Sequence, residues 1–364
     1  MGVVKLGDVA RESRLKWTKS KQDVPIVGLE HLIPDEIRFD AYDINTDNTF
    51  SKRFVKGQVL FGRRRAYQRK AAIAEFDGIC SGDITVIEAI EGKMVPELLP
   101  FIIQTPVFFD YANRGSAGSL SPRVKWEHLA DYEFELPPLE EQKILADKLW
   151  AAYRLKEAYK KLLDATDEMV KSQFIEMFGN PVTNTKGWKT AKIKDVAPEM
   201  PSKEQLSGKI WLLNLDMIES NTGRIIEKVY EDVENALSVQ SFDEGNVLFS
   251  KLRPYLNKVV IPDEPGMATT ELVPLRPEPS KLHKVFLSHL LRGNQFVNYA
   301  NDIAGGTKMP RMPLTELRNF DCILPPMDKQ LEFVFIAEQV DKSKFELKQC
   351  IENIDKVIKS LING

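Results

Sequence analysis

An internal repeat constrains this chain more than any other feature of its sequence. VKLGDVA at Val4–Ala10 returns as AKIKDVA at Ala191–Ala197, 187 residues later, and Val-Leu-Phe at 59–61 returns at 247–249, 188 residues later. At the second spacing Gly57 matches Gly245, Arg65 matches Arg253, Tyr67 matches Tyr255 and Lys70 matches Lys258. Gly118 likewise matches Gly306, Ser119 matches Thr307, and Pro122-Arg123 matches Pro310-Arg311. The ends agree too: ELPPLEEQ at Glu135–Gln142 corresponds to ILPPMDKQ at Ile323–Gln330. A chain of 364 residues is long enough for two domains with separate cores, and a shared spacing over so many anchors makes them two copies of one plan.

After each Leu-Pro-Pro the periodicity changes from strand-like to helical. Proline suits a first helical turn, and Glu140, Glu141 and Asp328 complement the dipole there. Ile144, Leu145, Leu149, Ala152, Leu155, Leu162, Met169, Val170 and Phe174 then recur at helical steps up to Phe178, where Gly179-Asn180-Pro181 closes the run. Leu331, Val334, Ala337, Val340, Leu347, Ile351, Ile354, Val357, Ile358 and Leu361 repeat the pattern. The expected division is a first domain at 1–138, a central long helix at 139–180, a second domain at 181–326 and a C-terminal long helix at 327–364. Each helix of about 35–40 residues spans roughly 55–60 Å. Narrow apolar stripes of that length seldom stand alone, so the helices are expected to pack on each other, antiparallel because that separates the domains. The alternative is that each helix packs on its own domain.

Within the domains VPIVGLEHL, WLLNLDMI, QVLFGR, AAIAEF, ITVIEAI and KVVIP predict short buried strands. FIIQTPVFFDYA and VFLSHLLRGNQFVNYA predict the matching helices, giving a mixed α/β domain around a curved sheet.

A formal net charge of -3 excludes a uniformly basic surface, so local charge decides. Residues 1–138 carry 19 basic and 20 acidic side chains, whereas 48–74 carry eight basic ones and no acid. Those eight are Lys52, Arg53, Lys56, Arg63, Arg64, Arg65, Arg69 and Lys70, interleaved with Phe54, Phe61 and Tyr67. Clustered charges of this kind suit phosphates, and arginine also reads guanine in the major groove. A solvated charged hairpin is the alternative. The second copy is less basic, with Lys251, Arg253 and Lys258 beside Tyr255. A second candidate surface is the pair of loops Arg114–Arg123 and Ala304–Arg311, in which Ser119, Arg123, Thr307, Lys308 and Arg311 accompany glycine. A plain turn between helix and strand explains these loops equally.

Catalytic signatures are largely missing. There is no GxxxxGK[ST] loop, no GxSxG elbow, no HExxH, no dinucleotide fingerprint and no Asn/Asp-Pro-Pro-aromatic tetrad; Asn180-Pro181-Val182 does not qualify. One rival is a nuclease-like set of Asp83, Glu91 and Lys93 holding magnesium. Cys80, Cys322 and Cys350 are far apart, and His31, His128, His283 and His289 have no ligand spacing, so no metal is assigned. Without an apolar run of about 18 residues or a signal-like start, the expected location is the cytoplasm, with no membrane partner.

With the repeat, the two Leu-Pro-Pro helix starts and the Phe178-Gly179-Asn180 helix end in place, the sequence resembles the specificity subunits of type I restriction-modification enzymes over essentially its whole length. The features that carry this are the order domain, helix, domain, helix, the Leu-Pro-Pro-x-x-x-Gln junctions at Leu136–Gln142 and Leu324–Gln330, and Gly187-Trp188 at the start of the second half. The resemblance implies an α+β fold of two α/β target recognition domains related by pseudo-two-fold symmetry and joined by a pair of long antiparallel coiled-coil helices. It implies a subunit with no catalytic residue and no cofactor that reads a bipartite site in double-stranded DNA, one half-site per domain. It also implies that the helices dock two modification (methyltransferase) subunits and, through them, restriction subunits. Leu155, Leu162, Met169, Val340, Leu347, Ile351 and Ile354 are the expected helix-pairing or partner-binding positions. Arg65, Tyr67, Arg253 and Tyr255 fall where the family keeps an Arg-x-Tyr pattern, and whether that pattern touches DNA or holds the sheet stays open. Domains on a paired rod would place half-site centres roughly 10–16 base pairs apart, each domain reading about 3–5 pairs. A type IIB recognition subunit, a magnesium-dependent nuclease and a protein-binding scaffold are the alternatives.

Overall fold

The computed structural model describes residues 2–232 and 239–363; the outermost positions of the expected division, 1 and 364, lie outside them. The chain forms two compact units, one of Met1–Ala158 with Cys350–Gly364, the other of Tyr159–Gln349. In the first unit Gly2–Lys5 runs antiparallel to Glu133–Leu136, so the chain start is tied to the strand that leads into the central helix. The second unit repeats this with Thr190–Lys192 against Asp321–Ile323. Leu6 and Val9, on the single helical turn of the VKLGDVA motif, are buried, as are Ile193 and Val196 of its copy.

Among the described residues, three small sheets per unit replace the single curved sheet expected. The first unit has a four-stranded antiparallel sheet in the order Ala10–Glu12, Ile84–Ala89, Val59–Gly62, Ala71–Ile73, and a three-stranded one in which Gly78–Cys80 lies between Ile26–Val27 and Lys52–Phe54. In the second unit Val247–Ser250 is the middle of three strands, and Lys209–Leu213 pairs with Val229–Asp232 and Gly266–Thr269. The Val-Leu-Phe motif is the central strand in both, buried on both faces, which is why it reads as a continuous apolar run.

Other expectations are corrected locally. VPIVGLEHL yields only the strand Ile26–Val27 before a 3-10 turn at Leu29–His31, because the Gly28 N–H is drawn to His31 Nδ1 at 2.9 Å. WLLNLDMI likewise leaves its strand at Leu213 for a turn at Leu215–Met217. Each predicted domain helix is two. Leu99–Ile103 and Pro106–Arg114 are separated where Thr105 caps the second by accepting from Phe108 N, and Pro106 has no N–H to continue the first. Lys284–Arg292 and Asn294–Asp302 are separated by extended Gly293.

The two long helices are Leu139–Phe178 and Met327–Asn363. Each packs on domain cores as well as on the other helix. In the first unit Ala146, Leu149, Trp150 and Tyr153 belong to the domain core, with Leu145 and with Ile358, Leu361 and Ile362 of the C-terminal helix against it. In the second, Val170, Phe174 and Phe178 of the central helix share a core with Phe333, Ala337 and Val340. The pairing is antiparallel in each unit, seen in the ion pair Lys156–Asp355 (2.6 Å) in one, and in Lys344 with Asp167 and Phe174 against Phe333 in the other. Of the stripe residues, Val340 is buried, Leu347, Ile351 and Ile354 are half-buried, and Leu155, Leu162 and Met169 stay about half exposed. The fully buried positions are those facing a domain, because a domain encloses a helix face more completely than one partner helix does.

The Leu-Pro-Pro-x-x-x-Gln junction has a physical basis. Gln142 is buried; it accepts from Val95 N (2.9 Å) and donates to Pro137 O (2.9 Å). Gln330 accepts from His283 N (2.9 Å) and donates to Lys281 O (3.0 Å) and Pro325 O (2.8 Å). One amide thus joins a helix start, the strand end before it and a domain loop. Gln330→Ala, which strands these buried partners, is expected to cost about 1–3 kcal/mol; urea denaturation of the full chain measures it, and a loss below about 0.5 kcal/mol would contradict this role.

Candidate nucleic-acid interface

In each unit the central strand runs into a turn built on strained backbone. Val59–Gly62 leads to Arg63, Arg64 and Arg65, and the turn Ala66–Gln68 is flanked by Arg65 (φ 54°) and Arg69 (φ 55°) in the left-handed region. In the copy, Val247–Ser250 leads to the turn Pro254–Leu256, flanked by Arg253 (φ 49°) and Asn257 (φ 49°). Such backbone costs a non-glycine residue about 1 kcal/mol or more, so neighbouring bonds must hold it. Arg65 N donates to Pro122 O (2.8 Å) and Arg253 N to Pro310 O (2.7 Å). Lys70 Nζ donates to Leu29 O (2.7 Å) and Lys258 Nζ to Leu215 O (2.6 Å), so both lysines turn inward and tie the turn to the sheet beside it. Tyr67 and Tyr255 are left outside, 58% and 50% exposed.

The second candidate surface meets the first. Ala117 and Arg123 exchange backbone hydrogen bonds, as do Gly305 and Arg311, closing a five-residue loop tip in each unit. Gly118 (φ +117°) and Gly306 (φ +104°) supply the positive φ that the tip requires. Arg123 Nε pairs with Asp83 Oδ1 at 2.7 Å, and Arg311 Nη2 with Glu271 Oε1 at 2.8 Å. Asp83 and Glu271 occupy matching positions in the repeat. Burial opposes ionisation of Asp83, but the Arg123 and Arg64 guanidiniums outweigh it and hold the carboxyl below its ordinary range. Arg64 also reaches Ser121 Oγ (3.2 Å), and Arg65 Nη2 reaches Leu120 O (3.4 Å).

The basic residues therefore divide. Lys52 donates to Ile84 O (2.7 Å), Arg53 pairs with Asp77 (3.3 Å), and Arg69 pairs with Asp35 (2.5 Å) over the Phe109 ring. With Lys70, Lys258, Arg123 and Arg311 they build the frame. Arg63, Lys251, Arg253 and Lys308 make no side-chain hydrogen bond or ion pair among the described residues, nor do Ser119 and Thr307, which are exposed. Phe54 and Phe61 of the basic segment are fully buried core residues. The sequence reading missed the anchoring role of Asp83 and Glu271, although their matching spacing was the available signal.

The rival magnesium set is not assembled. The strand Ile84–Ala89 lies between Asp83 and Glu91, holding them about 20 Å apart, and Lys93 Nζ donates to Asp8 O (3.0 Å). Among the described residues Glu30, His31 and Asp43 do come together, but His31 Nδ1 is occupied by the Gly28 N–H.

The model of the type I restriction modification DNA specificity domain matches residues 1–165 and 185–356, nearly the whole chain. The chain belongs to this family. The specificity subunit of the Escherichia coli type I restriction enzyme EcoDI is 23% identical over 288 residues, covering 67% of this chain, and the chain spans 64% of that subunit's length. Two solved structures share the fold of this chain. One, described as the structural basis of complex assembly and conformational transition of the type I R-M system, covers 99% of this chain and 96% of its own with a TM-score of 0.57 at 16% identity. The other, the S subunit of a type I system from M. genitalium, covers 100% and 95% with a TM-score of 0.57 at 10% identity. Among the described residues no helix is long and apolar enough to cross a membrane.

If the acid–arginine pairs fix the loops of this specificity fold, Asp83→Ala and Glu271→Ala should each speed hydrogen exchange at the Arg123 or Arg311 amide about fivefold, the scale of a partly exposed ion pair. Exchange confined to wild-type rates in both variants would show the loops to be held by backbone alone.

Proposed function

We propose that this chain is the DNA-sequence specificity subunit of a type I restriction-modification complex. Each unit reads one half of a bipartite duplex site, and the long helices dock two modification subunits and, through them, restriction subunits. The observation that carries the reading is the twofold occurrence of one platform, in which an exposed tyrosine, an arginine on strained backbone and a pinned glycine loop meet at the end of the central strand. Unpaired cations beside hydroxyl and aromatic groups fit a phosphate backbone flanked by base edges. Neither platform holds a nucleophile with a base, or a carboxylate cluster free of arginine, so the chain reads DNA and leaves the chemistry to its partners. The platforms differ around their shared frame, which gives two unlike half-sites.

Docking is supported by apolar side chains that the helices leave uncovered. Ile144, Leu155 and Val357 are exposed in the first unit, and Leu162, Met169, Leu331, Phe335 and Phe345 in the second; Phe335 and Phe345 are more than 60% exposed. Uncovered aromatic side chains in number mark a protein interface.

Replacing residues 1–138 by the corresponding domain of another family member should change one half of the methylated sequence and leave the other. A change in both halves, or in neither, contradicts modular reading. Phe335→Glu with Phe345→Glu should abolish co-purification of the modification subunit while duplex binding by the chain persists; retention of the modification subunit would remove this face from the interface.

A further inference from the structure

Leu120 is the most exposed large hydrophobic side chain among the described residues, at 88%. A single exposed leucine needs no explanation by itself, but this one is held. It stands at the tip of the loop closed by Ala117 and Arg123; its carbonyl accepts from Arg65 Nη2 (3.4 Å), and the next residue, Ser121, accepts from Arg64 Nη2 (3.2 Å). The loop is anchored again through Arg123 on Asp83. An apolar side chain is thus presented to solvent from within a set of guanidiniums, on backbone that ion pairs and hydrogen bonds keep from folding it away.

The second unit keeps the frame and changes the tip. Gly118, Pro122 and Arg123 match Gly306, Pro310 and Arg311, whereas Leu120 is matched by Lys308 and Ser121 by Met309. The retained residues are those that make the loop's shape. The changed ones project from it.

Resting on the recognition reading above, we infer that position 120 in the first unit, and Lys308 in the second, is a specificity-determining residue that enters the groove from a loop the surrounding arginines hold in place. The chemistry assigns the contact. A branched aliphatic side chain has no hydrogen bond to offer a base edge, and the apolar group that the major groove presents is the thymine 5-methyl; lysine instead suits the O6 and N7 acceptors of guanine.

The test uses the full chain and a randomised duplex pool. Wild-type protein selects its consensus, and each selected thymine is then replaced by deoxyuridine, which removes only the methyl. At one position of one half-site the replacement should weaken wild-type binding about fourfold, the factor carried by burying one methyl group, and should leave Leu120→Ala unaffected. Leu120→Lys should move the preference at that base pair toward guanine. Because Leu120 is so exposed, neither variant threatens the fold, and circular dichroism verifies this. Equal deoxyuridine sensitivity in wild type and Leu120→Ala, or a loss in Leu120→Ala that is uniform over all sequences, overturns the inference while leaving the subunit's role as a reader standing. A wild-type chain that selects no consensus overturns the recognition reading, and this inference with it.

Discussion

The structure depends on the way two long helices complete two domain cores. A helix of 40 residues such as Leu139–Phe178 has too narrow an apolar stripe to be stable by itself. Its first half is fixed by Leu149, Trp150 and Tyr153, with Trp150 donating to Glu97 O (2.9 Å) beneath the Arg38 guanidinium. Its second half is fixed by Phe174 and Phe178 against Phe286 and Phe333. The C-terminal helix does the reverse, beginning in the core that contains Phe333 and ending against the one that contains Trp150. Each core is therefore built from segments far apart in the chain. The ion pairs Lys156–Asp355 and Lys344–Asp167 express the same logic. They join repeat-equivalent residues crosswise, so each helix supplies the lysine once and the aspartate once. Partly exposed pairs of this kind add little stability, but they fix the register that the aromatic side chains need.

Much of this was legible in the sequence. Helix lengths followed from a 3.6-residue period, and the junctions from proline and glutamine at fixed offsets. The paired turn and glycine loop of each unit carry Arg65, Tyr67, Gly118 and Arg123, which recur at 188 residues. All these signals lie in short segments or in the repeat itself. What could not be read depended on partners brought together by folding. Lys70 and Lys258 looked like free cations and in fact cap distant carbonyls. Asp83, weighed only as part of a rival metal-binding set, anchors an arginine 40 residues away. The strength of helix packing on the domains, against the other long helix, was hidden because a stripe of Leu, Val and Phe does not say which apolar surface it will meet. The break at Thr105-Pro106 is different, since both the cap and the missing donor were visible there, and the apolar run on either side masked them.

The two copies have diverged unevenly, and the pattern separates frame from content. Beside the helix pair, each unit has a hollow of about 450–460 Å3 at equivalent positions. In the first it is lined by Phe101, Gln104 and Tyr153; in the second His289 and Arg292 stand where Phe101 and Gln104 do. Burial, with Arg292 and Lys344 nearby, holds the His289 imidazole neutral far below its ordinary range, and Arg292 donates to Thr222 O. A histidine and an arginine thus stand in one unit where a phenylalanine and a glutamine stand in the other, beside helices of the same kind. Arg292 Nη2 lies 3.0 Å from His289 Nε2, and with the Thr222 carbonyl this gives both guanidinium Nη atoms a partner in the interior.

The same separation governs the platforms, and there it bears on recognition. Backbone held at positive φ is costly, and four such non-glycine residues, Arg65, Arg69, Arg253 and Asn257, persist because the pins around them are retained in both copies. A frame so held does not depend on the residues at its tip, since Leu120, Lys308, Tyr67 and Tyr255 contribute almost nothing to any core. Substitution at the tip therefore leaves the frame in place, and on the proposed reading it changes only the chemical group offered to DNA. The proposed recognition can diverge between the two halves of one chain because the exposed tip residues are not the residues that fold, and in both units the ion pairs of Asp83 and Glu271 pin the frame behind them.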